Sequence, residues 1–402
     1  MIKSVRISNF KSVVDLTIEL GSFNVFIGEN GCGKSNILEA IGFGAAASAD
    51  KLDFEFLGSR GIRATNPEFM VSAFLNNKKK KDINIDFKED GKDLNFMLEN
   101  NPENPKRWLN KNKIEATEII KKIVNELITN ETDEKDRKFS NDFNINNEEI
   151  SKLKSIFSFI ESDIEKKHFL KYLPTLLDGL VNSSSLSNYI IYAPEQTSLR
   201  KFEETTQIYP LGIKGEGLFQ YLKELAFDKK NKKTLSEIKE TLSLLDWYED
   251  FDLPENLLKN EFSLNVKDRF LDPSLQYFDQ RSTNEGFLYL LFYATLFISK
   301  TTPTFFAVDN IDASFNPKLC MGVTKCLASL AKKHKKQVLL TTHNPAVLDG
   351  MNLKDENQRL FVVRRNDDGH TVVRRVEYNP NRKMKLSEVW TNGYIGGLPE
   401  NF

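Results

Sequence analysis

The sequence predicts an α/β fold with a mixed, largely parallel sheet at its core and a helical insertion. Two segments favour this prediction. Near the amino terminus, the apolar run at residues 23–27 leads through a glycine-rich loop into a helical pattern. Near the carboxyl terminus, residues 304–341 have the pattern of a strand, a helix and a second strand. A strand–helix–strand unit normally connects parallel strands, so a parallel sheet is expected.

The first elements of the chain are predicted as strand, turn, strand, loop and helix. Residues 4–7 and 16–20 alternate between apolar and polar side chains, which is typical of half-buried strands. Phe23–Ile27 is a short, largely apolar run, as expected for a buried central strand. Residues 36–41 then place apolar side chains at helical spacing, so a helix is expected directly after the loop.

The composition changes from about residue 76 to residue 187, where Lys, Asn, Asp and Glu dominate. Residues 69–75 and 83–87 have strand-like patterns on either side of a turn that carries Lys78–Lys81. These two segments are therefore predicted to be strands that lead into a different structural unit.

A helical insertion is predicted at about residues 100–187. Residues 114–127 and 148–164 show the apolar spacing of helices. The insertion lacks clustered His or Cys residues and glycine-rich segments. We therefore expect it to contact a partner or a second copy of the chain rather than to carry chemistry.

The carboxyl-terminal part continues the α/β pattern. Residues 188–193 form a short apolar run, as in a buried strand, and residues 218–247 show helical spacing. Residues 359–364 and 371–378 flank the turn sequence DDG, which predicts a hairpin. The predicted organisation is an amino-terminal lobe at 1–75, linker strands and the helical insertion at 76–187, and a carboxyl-terminal lobe at 188–402.

Composition limits the class of protein. The 402 residues carry 56 Lys and Arg against 57 Asp and Glu, a net charge of -1 that does not indicate a basic nucleic-acid sleeve. Hydrophobic residues make up 40% of the chain, enough for a packed core. Three cysteines predict a reducing, cytoplasmic location. The longest apolar run, about 12 residues, is too short to span a membrane, and no membrane association is expected.

The loop GENGCGKS at residues 28–35 matches the pattern G-x4-G-K-[ST], with a strand before it and a helix after it. Backbone amides of such a loop surround phosphate oxygens, Lys34 reaches the β- and γ-phosphates, and the Ser35 hydroxyl binds Mg²⁺. A glycine-rich turn without a ligand is the alternative, which this context disfavours. For Cys32, a small residue that the loop tolerates is a better interpretation than a redox role. ATP and Mg²⁺ are thus the predicted ligands, bound by Gly28, Asn30, Gly31, Gly33, Lys34, Ser35 and Asn36.

Two later strands end in polar side chains suited to the same site. The apolar run at residues 305–308 ends in Asp309, which with Ser35 is the predicted metal ligand set. Asn310 follows and cannot accept a proton at neutral pH. The run at 337–341 leads to His343, which could contact the γ-phosphate or simply cap a loop. The predicted catalytic residues are Lys34, Asp309, Asn310 and His343.

These motifs resemble those of the ABC-type ATPase heads of the SMC, RecF and OLD group, in particular its compact defence-associated ATPases. The resemblance covers about residues 1–75 and 188–402. It rests on NFKS at 9–12, on the GENGCGKSN loop, on VDNID followed by ASFNP from residue 308, and on TTHNPAVLD from residue 341. In this family the segments are the opening turn, the Walker A loop, the Walker B strand with the D-loop, and the histidine switch.

The resemblance implies an ABC-type P-loop head that binds nucleotide also through Asn9 and Lys11. It further implies slow hydrolysis, because Asn310 stands where relatives have the glutamate that polarises water. Glu195 or Asp312 could supply the missing carboxylate, and Arg200 could touch phosphate or a partner. Structural capping is an equal alternative for Glu195 and Arg200.

The family's signature motif, which binds ATP held by the opposite subunit, is matched by residues 282–288. Asn284 stands where serine is expected, and Gly286 permits close approach of a phosphate. An ordinary asparagine N-cap is the compatible alternative. The motif implies a head-to-tail dimer or a higher oligomer. No glutamine-bearing Q-loop is visible in the sequence.

Two functions remain in view. The first is a dimerising ATP switch that senses or regulates a separate effector, a nuclease or toxin from a neighbouring gene, as in the Septu and PARIS anti-phage systems. The second is a DNA-binding repair or recombination ATPase like RecF or SMC. An OLD-type nuclease is disfavoured because too few residues follow His343 for a TOPRIM domain. Nucleic acid could bind at basic clusters, best at the hairpin; the clusters are Lys78–Lys81, Lys229–Lys233, and Arg364-Arg365 opposite Arg374-Arg375.

Overall fold

The computed structural model of the chain describes residues 1–74, 81–114, 185–201, 208–253, 264–279 and 281–398. The predicted helices of the insertion lie outside the described residues from residue 115 onwards, as do Lys78–Lys80. Within the described parts, the mixed α/β fold that the sequence predicts is confirmed.

An antiparallel sheet forms the amino-terminal layer, in the order β2-β1-β4-β5-β6. Apolar side chains on one face of β1 and β4 pack onto helix α1. Residues 83–110 are predicted as linker strands and the start of the helical insertion, but β4 pairs with β1, β5 with β4 and β6 with β5, so they complete this sheet. The strands are β1 (Ile2–Phe10), β2 (Val13–Glu19), β4 (Ile83–Glu89), β5 (Lys92–Asn100) and β6 (Trp108–Asn110).

The prediction of a strand at residues 69–75 is wrong. Pro67–Met70 is a short helix, α3, and Val71 makes only an isolated bridge to Phe10. Proline at the first helical position fixes φ at a helical value, and its missing N–H has no helical partner to lose. The local backbone preference of Asn66-Pro67 therefore outweighs the apolar pattern that follows it.

The central sheet has the order β14-β13-β3-β12-β11-β7, and all its pairs are parallel except the β13–β14 hairpin. The predicted parallel sheet and hairpin are thus confirmed. Strand β12 lies between β3, which precedes the glycine-rich loop, and β11, which precedes Asp309. The strands are β3 (Phe23–Ile27), β7 (Ile191–Tyr192), β11 (Phe305–Val308), β12 (Gln337–Thr341), β13 (Gln358–Arg365) and β14 (Thr371–Val376).

Two cores lie on opposite faces of this sheet. Phe305 and Ala307 face the core shared with α1 and the antiparallel sheet, whereas Phe306 and Val308 face a core of helices. Because both faces are covered, β3 and β11 are buried along their whole length, as predicted for β3. The helices are α1 (Lys34–Ser48), α2 (Phe54–Ser59), α4 (Gln196–Leu199), α5 (Leu218–Phe227), α6 (Lys232–Leu242), α7 (Glu285–Ile298), α8 (Pro317–Lys333) and α9 (Leu386–Thr391).

The helix predicted at residues 218–247 is two helices, α5 and α6, and ends before Trp247. Asp228 interrupts it, because its carboxylate accepts a hydrogen bond from the Lys230 backbone and starts a 3₁₀ turn. A small sheet of β8 (Tyr248–Asp252), β9 (Asn265–Asp268) and β10 (Phe278–Asp279) follows. Among the described residues, no helix is long and apolar enough to cross a membrane.

Candidate functional site

The glycine-rich loop joins β3 to α1 and has a backbone that only glycine adopts readily. Gly28, Gly31 and Gly33 have φ values of 150°, 78° and 109°. A Cβ atom on Gly33 would lie 2.1 Å from Oγ1 of Thr371, so a side chain is excluded there. Helix α1 begins at Lys34, directly after the loop, and the first backbone N–H groups of a helix have no hydrogen-bond partner within it. Such a helix terminus attracts an anion such as phosphate.

Lys34 is held inside this loop. Its side chain is buried, with the residue 6% exposed, and Nζ donates hydrogen bonds to the carbonyls of Gly28 (2.8 Å) and Glu29 (3.0 Å). Burial lowers the pKa of Lys34, because the ammonium has lost water. A bound phosphate would give this ammonium the charged partner that two neutral carbonyls do not provide.

Cys32 lies in the same loop and is also buried. Burial raises the pKa of its thiol, so the reactive thiolate is disfavoured. This supports the interpretation of Cys32 as a tolerated small residue.

Ser35 and Asp309 meet at the carboxyl edge of the central sheet. The Ser35 hydroxyl donates to Oδ2 of Asp309 at 3.1 Å, and Thr341 on the intervening strand β12 donates to Oδ1. A hydroxyl and a carboxylate are oxygen ligands that suit Mg²⁺. Across the described ranges, no group of three or more His, Cys, Asp or Glu could hold a metal. The pair therefore fits a Mg²⁺ ion that takes its other ligands from phosphates and water.

Asn310 and His343 lie beside this pair. Asn310 has a φ of 57°, a left-handed conformation that asparagine tolerates, and its backbone N–H donates to Oγ1 of Thr341 at 2.9 Å. His343 is exposed at the rim. Partial burial, and next the positive charge of Lys34, lower the pKa of His343. A neutral imidazole at this position can donate one hydrogen bond to a phosphate oxygen.

A polar cleft of about 400 Å³ brings these residues together. It contains nine residues that the sequence predicted and two that it did not, Arg63 and Arg365. The nine are Asn30, Gly31, Gly33, Lys34, Ser35, Asn36, Asp309, Asn310 and His343. Gly28, the first residue of the loop, does not line the cleft; its carbonyl accepts a hydrogen bond from Lys34.

The prediction that Asn9 and Lys11 bind nucleotide is not supported by their positions. Neither lines the cleft. The buried amide of Asn9 donates to the Asp82 carbonyl at 2.7 Å. Lys11 forms an ion pair with Glu39, and the other oxygen of that carboxylate binds Arg63. Both side chains have partners beside the cleft in this structure, and their binding of nucleotide stays a prediction.

The sequence contained one indication that a residue such as Arg63 would lie here, namely Glu39. It stands among the apolar residues of α1 and is only 2% exposed, and a buried carboxylate requires cationic partners. The sequence could not show which cations these are, because Lys11 and Arg63 come from separate loops.

The signature segment lines a second cleft of about 740 Å³, which shares no lining residue with the first. Asn284 caps α7 by accepting from the Phe287 N–H at 2.9 Å, as the alternative interpretation predicted. Gly286 also lines this cleft, with Ser314 of the D-loop near it. Arg200 donates to the carbonyls of Arg281 (2.7 Å) and Thr283 (2.9 Å), so it positions the segment.

The two proposed replacement bases, Glu195 and Asp312, each have a partner within this chain. Glu195 forms an ion pair with Lys214 at 3.0 Å, and the carboxylate of Asp312 accepts from the Thr342 hydroxyl at 2.6 Å. Neither residue lines the nucleotide cleft. Both carboxylates have structural partners instead.

A glycine-rich loop paired with a strand-end aspartate across one intervening strand is the arrangement of a P-loop ATPase. Residues 1–348 match the family model described as the AAA ATPase domain, and the chain belongs to this family. Comparison with curated proteins gives no match.

The fold of this chain is similar to that of a solved SMC head. An SMC head bound to the C-winged helix domain of ScpA has a TM-score of 0.53 and 15% identity over 94% of this chain and 98% of its own. An SMC head with an extended coiled coil from Pyrococcus furiosus, bound to the C-terminal domain of ScpA, has a TM-score of 0.49 and 14% identity over 98% of both chains. The SMC head domain from Thermotoga maritima has a TM-score of 0.46 and 14% identity over 94% of this chain and 99% of its own.

Replacing Gly33 with alanine is expected to abolish measurable nucleotide binding and to lower the melting temperature. The added Cβ meets Thr371, and alanine is strained at a φ of 109°. Calorimetric titration and thermal unfolding measure the two effects. Gly58→Ala is the control, because a Cβ there meets nothing within 4 Å. A Gly33→Ala protein that binds ATP like the wild type would contradict the assigned geometry.

Proposed function

We propose that this ATPase head is an ATP- and Mg²⁺-dependent switch that hydrolyses ATP slowly. The observation that carries the proposal is the 3.1 Å contact between Ser35 and Asp309 beside the glycine-rich loop. It joins the anion site of a helix terminus to an oxygen-ligand pair within one cleft. This combination suits a magnesium–nucleotide complex better than a simple anion.

The chain's own residues have separate tasks in this proposal. Amides at the start of α1 and the ammonium of Lys34 bind the phosphates, and Ser35 with Asp309 would hold Mg²⁺. The ion would neutralise phosphate charge. Asn310 can orient a water molecule by hydrogen bonding but cannot take its proton. Long occupation of the ATP state is the expected consequence.

We propose further that two heads close on ATP in a head-to-tail dimer. Support comes from the separation of the two clefts, since the signature turn and the glycine-rich loop of one chain share no cavity. A second copy could bring its Asn284–Gly286 turn to the first copy's phosphates. The amino end of α7, capped by Asn284, would then favour the anion.

The switch is proposed to regulate a separate effector, a nuclease or toxin, in bacterial anti-phage defence. This part rests on the resemblance to compact defence-associated ATPases. A cytoplasmic location accords with the free cysteines Cys32, Cys320 and Cys326. The insertion at residues 100–187 is the proposed contact for partners.

A DNA-binding repair ATPase is the second candidate, favoured by the exposed lysines at residues 229–233. The two functions differ in one measurable property. A RecF-like or SMC-like enzyme should hydrolyse ATP faster when DNA is added, whereas an effector switch should not respond to DNA.

Gly286→Asp is expected to separate the ATP-bound dimer while each chain still binds ATP. The new carboxylate would face the partner's γ-phosphate, and like charges repel at short distance. Mass measurement in solution, with and without ATP, detects the change. Gly58→Asp introduces the same charge at an exposed helix position that lines neither cleft and is the control. If Gly286→Asp assembles as fully as the wild type in ATP, the head-to-tail arrangement is wrong.

A further inference from the structure

The C-terminal hairpin, β13 and β14 with their turn, lies along the outer side of the glycine-rich loop. Thr371 donates its hydroxyl to the Cys32 carbonyl at 2.9 Å. Missing Cβ atoms allow this approach, because one on Gly28 would lie 2.2 Å from the Val363 carbonyl. The hairpin therefore forms a second wall of the nucleotide cleft.

Arg365 is the hairpin side chain that lines the cleft. Its Nε donates to the Gly31 carbonyl at 2.8 Å, and one terminal nitrogen donates to the Gly369 carbonyl at 3.1 Å. The guanidinium also lies over the ring of Phe74, 4.9 Å from its centroid. Three contacts from three segments thus hold this half-buried cation in one orientation.

The charge of Arg365 has no acidic partner among the described residues. Its contacts are neutral carbonyls and an aromatic ring. Arg63, the other cleft arginine, is paired with Glu39, and Arg375 on the same hairpin is paired with Glu356. Arg365 therefore keeps its positive charge available to an anion in the cleft.

We propose that Arg365 is a nucleotide-binding residue that donates hydrogen bonds to the polyphosphate in the cleft. This inference rests on the proposed function. A guanidinium is planar and presents several donors in a fixed fork, which matches phosphate oxygens. Its position against Gly31 places that fork at the loop that surrounds the phosphates. The hairpin, whose arginines suggested a nucleic-acid surface, thus contributes one of them to the ATPase site.

The same contact would connect nucleotide to the hairpin. Arg365 bridges the loop at Gly31 and the hairpin turn at Gly369, so a phosphate that binds the guanidinium fixes both segments. Amides in the hairpin turn are therefore expected to exchange hydrogen more slowly with ATP bound than without it.

Arg365→Gln is expected to weaken ATP binding by about tenfold or more, since a hydrogen bond to a charged group contributes on that scale. Arg364→Gln is the matched control. Its side chain directly precedes Arg365 on the same strand, is exposed and does not line the cleft, and the change in net charge is identical. Equilibrium titration with ATP and with inorganic triphosphate, at low and at high salt, measures the effect.

Each result of these titrations either supports or overturns the proposed role of Arg365. Wild-type protein that fails to bind ATP would overturn the proposed function itself, whereas binding that Arg365→Gln and Arg364→Gln leave equal would overturn only this inference. Arg365→Lys keeps the charge and should recover part of the affinity for triphosphate. If Lys recovers none, and the loss in Arg365→Gln is the same at high salt, the residue merely supports the loop and the proposal fails.

Discussion

Asn310→Glu is expected to accelerate ATP hydrolysis by about 100-fold or more, because a general base typically contributes 10²–10⁴-fold. Asn310 lines the nucleotide cleft directly after Asp309, the proposed metal ligand, so a carboxylate there would meet the attacking water. The backbone of the new glutamate must keep the φ of 57° found at Asn310. This left-handed conformation costs about 1 kcal/mol of stability for residues other than Gly, Asn and Asp. Phosphate release under saturating ATP measures the rate.

Asn310→Gln is the control for this experiment. It imposes the same backbone strain and side-chain length as glutamate but adds no base, so its rate should stay at the wild-type level. A wild-type enzyme that already hydrolyses ATP rapidly, or two variants with equal rates, would show that Asn310 does not limit turnover. Because Glu195 and Asp312 have other partners, Glu195→Gln and Asp312→Asn should leave the slow rate unchanged.

Lys34→Ala is expected to abolish ATP binding in calorimetric titration. The buried ammonium neutralises phosphate charge inside a loop that excludes water, where a lost charge is poorly replaced by solvent. Its hydrogen bonds to the carbonyls of Gly28 and Glu29 would also be lost, so the empty loop should become less ordered.

Lys233→Ala removes an equal charge from the exposed start of α6 and should bind ATP normally. Thermal unfolding of both variants without nucleotide separates loss of binding from loss of folding. Unchanged affinity in a folded Lys34→Ala protein would exclude the glycine-rich loop as the nucleotide site.

Several features of the site follow from contiguous sequence. The glycine-rich loop, the strand that ends in Asp309 and the segment around His343 are local patterns, and each was placed on the correct element. Their convergence was also predictable, because parallel strands present their carboxyl ends at one edge of a sheet. The strand predicted at residues 69–75 failed for a local reason as well, since Pro67 starts a helix there.

The sequence by itself determined the class of fold, the loop and the main polar residues of the cleft, because these depend on spacing within a few consecutive residues. Only the tertiary structure showed that Arg63 and Arg365 also line the cleft. It also showed that Lys11 forms an ion pair with Glu39, and that the signature turn lies in a separate cleft. These relations join segments far apart in the chain. They depend on strand order and on which loops the packed sheets bring together, and no local pattern encodes that.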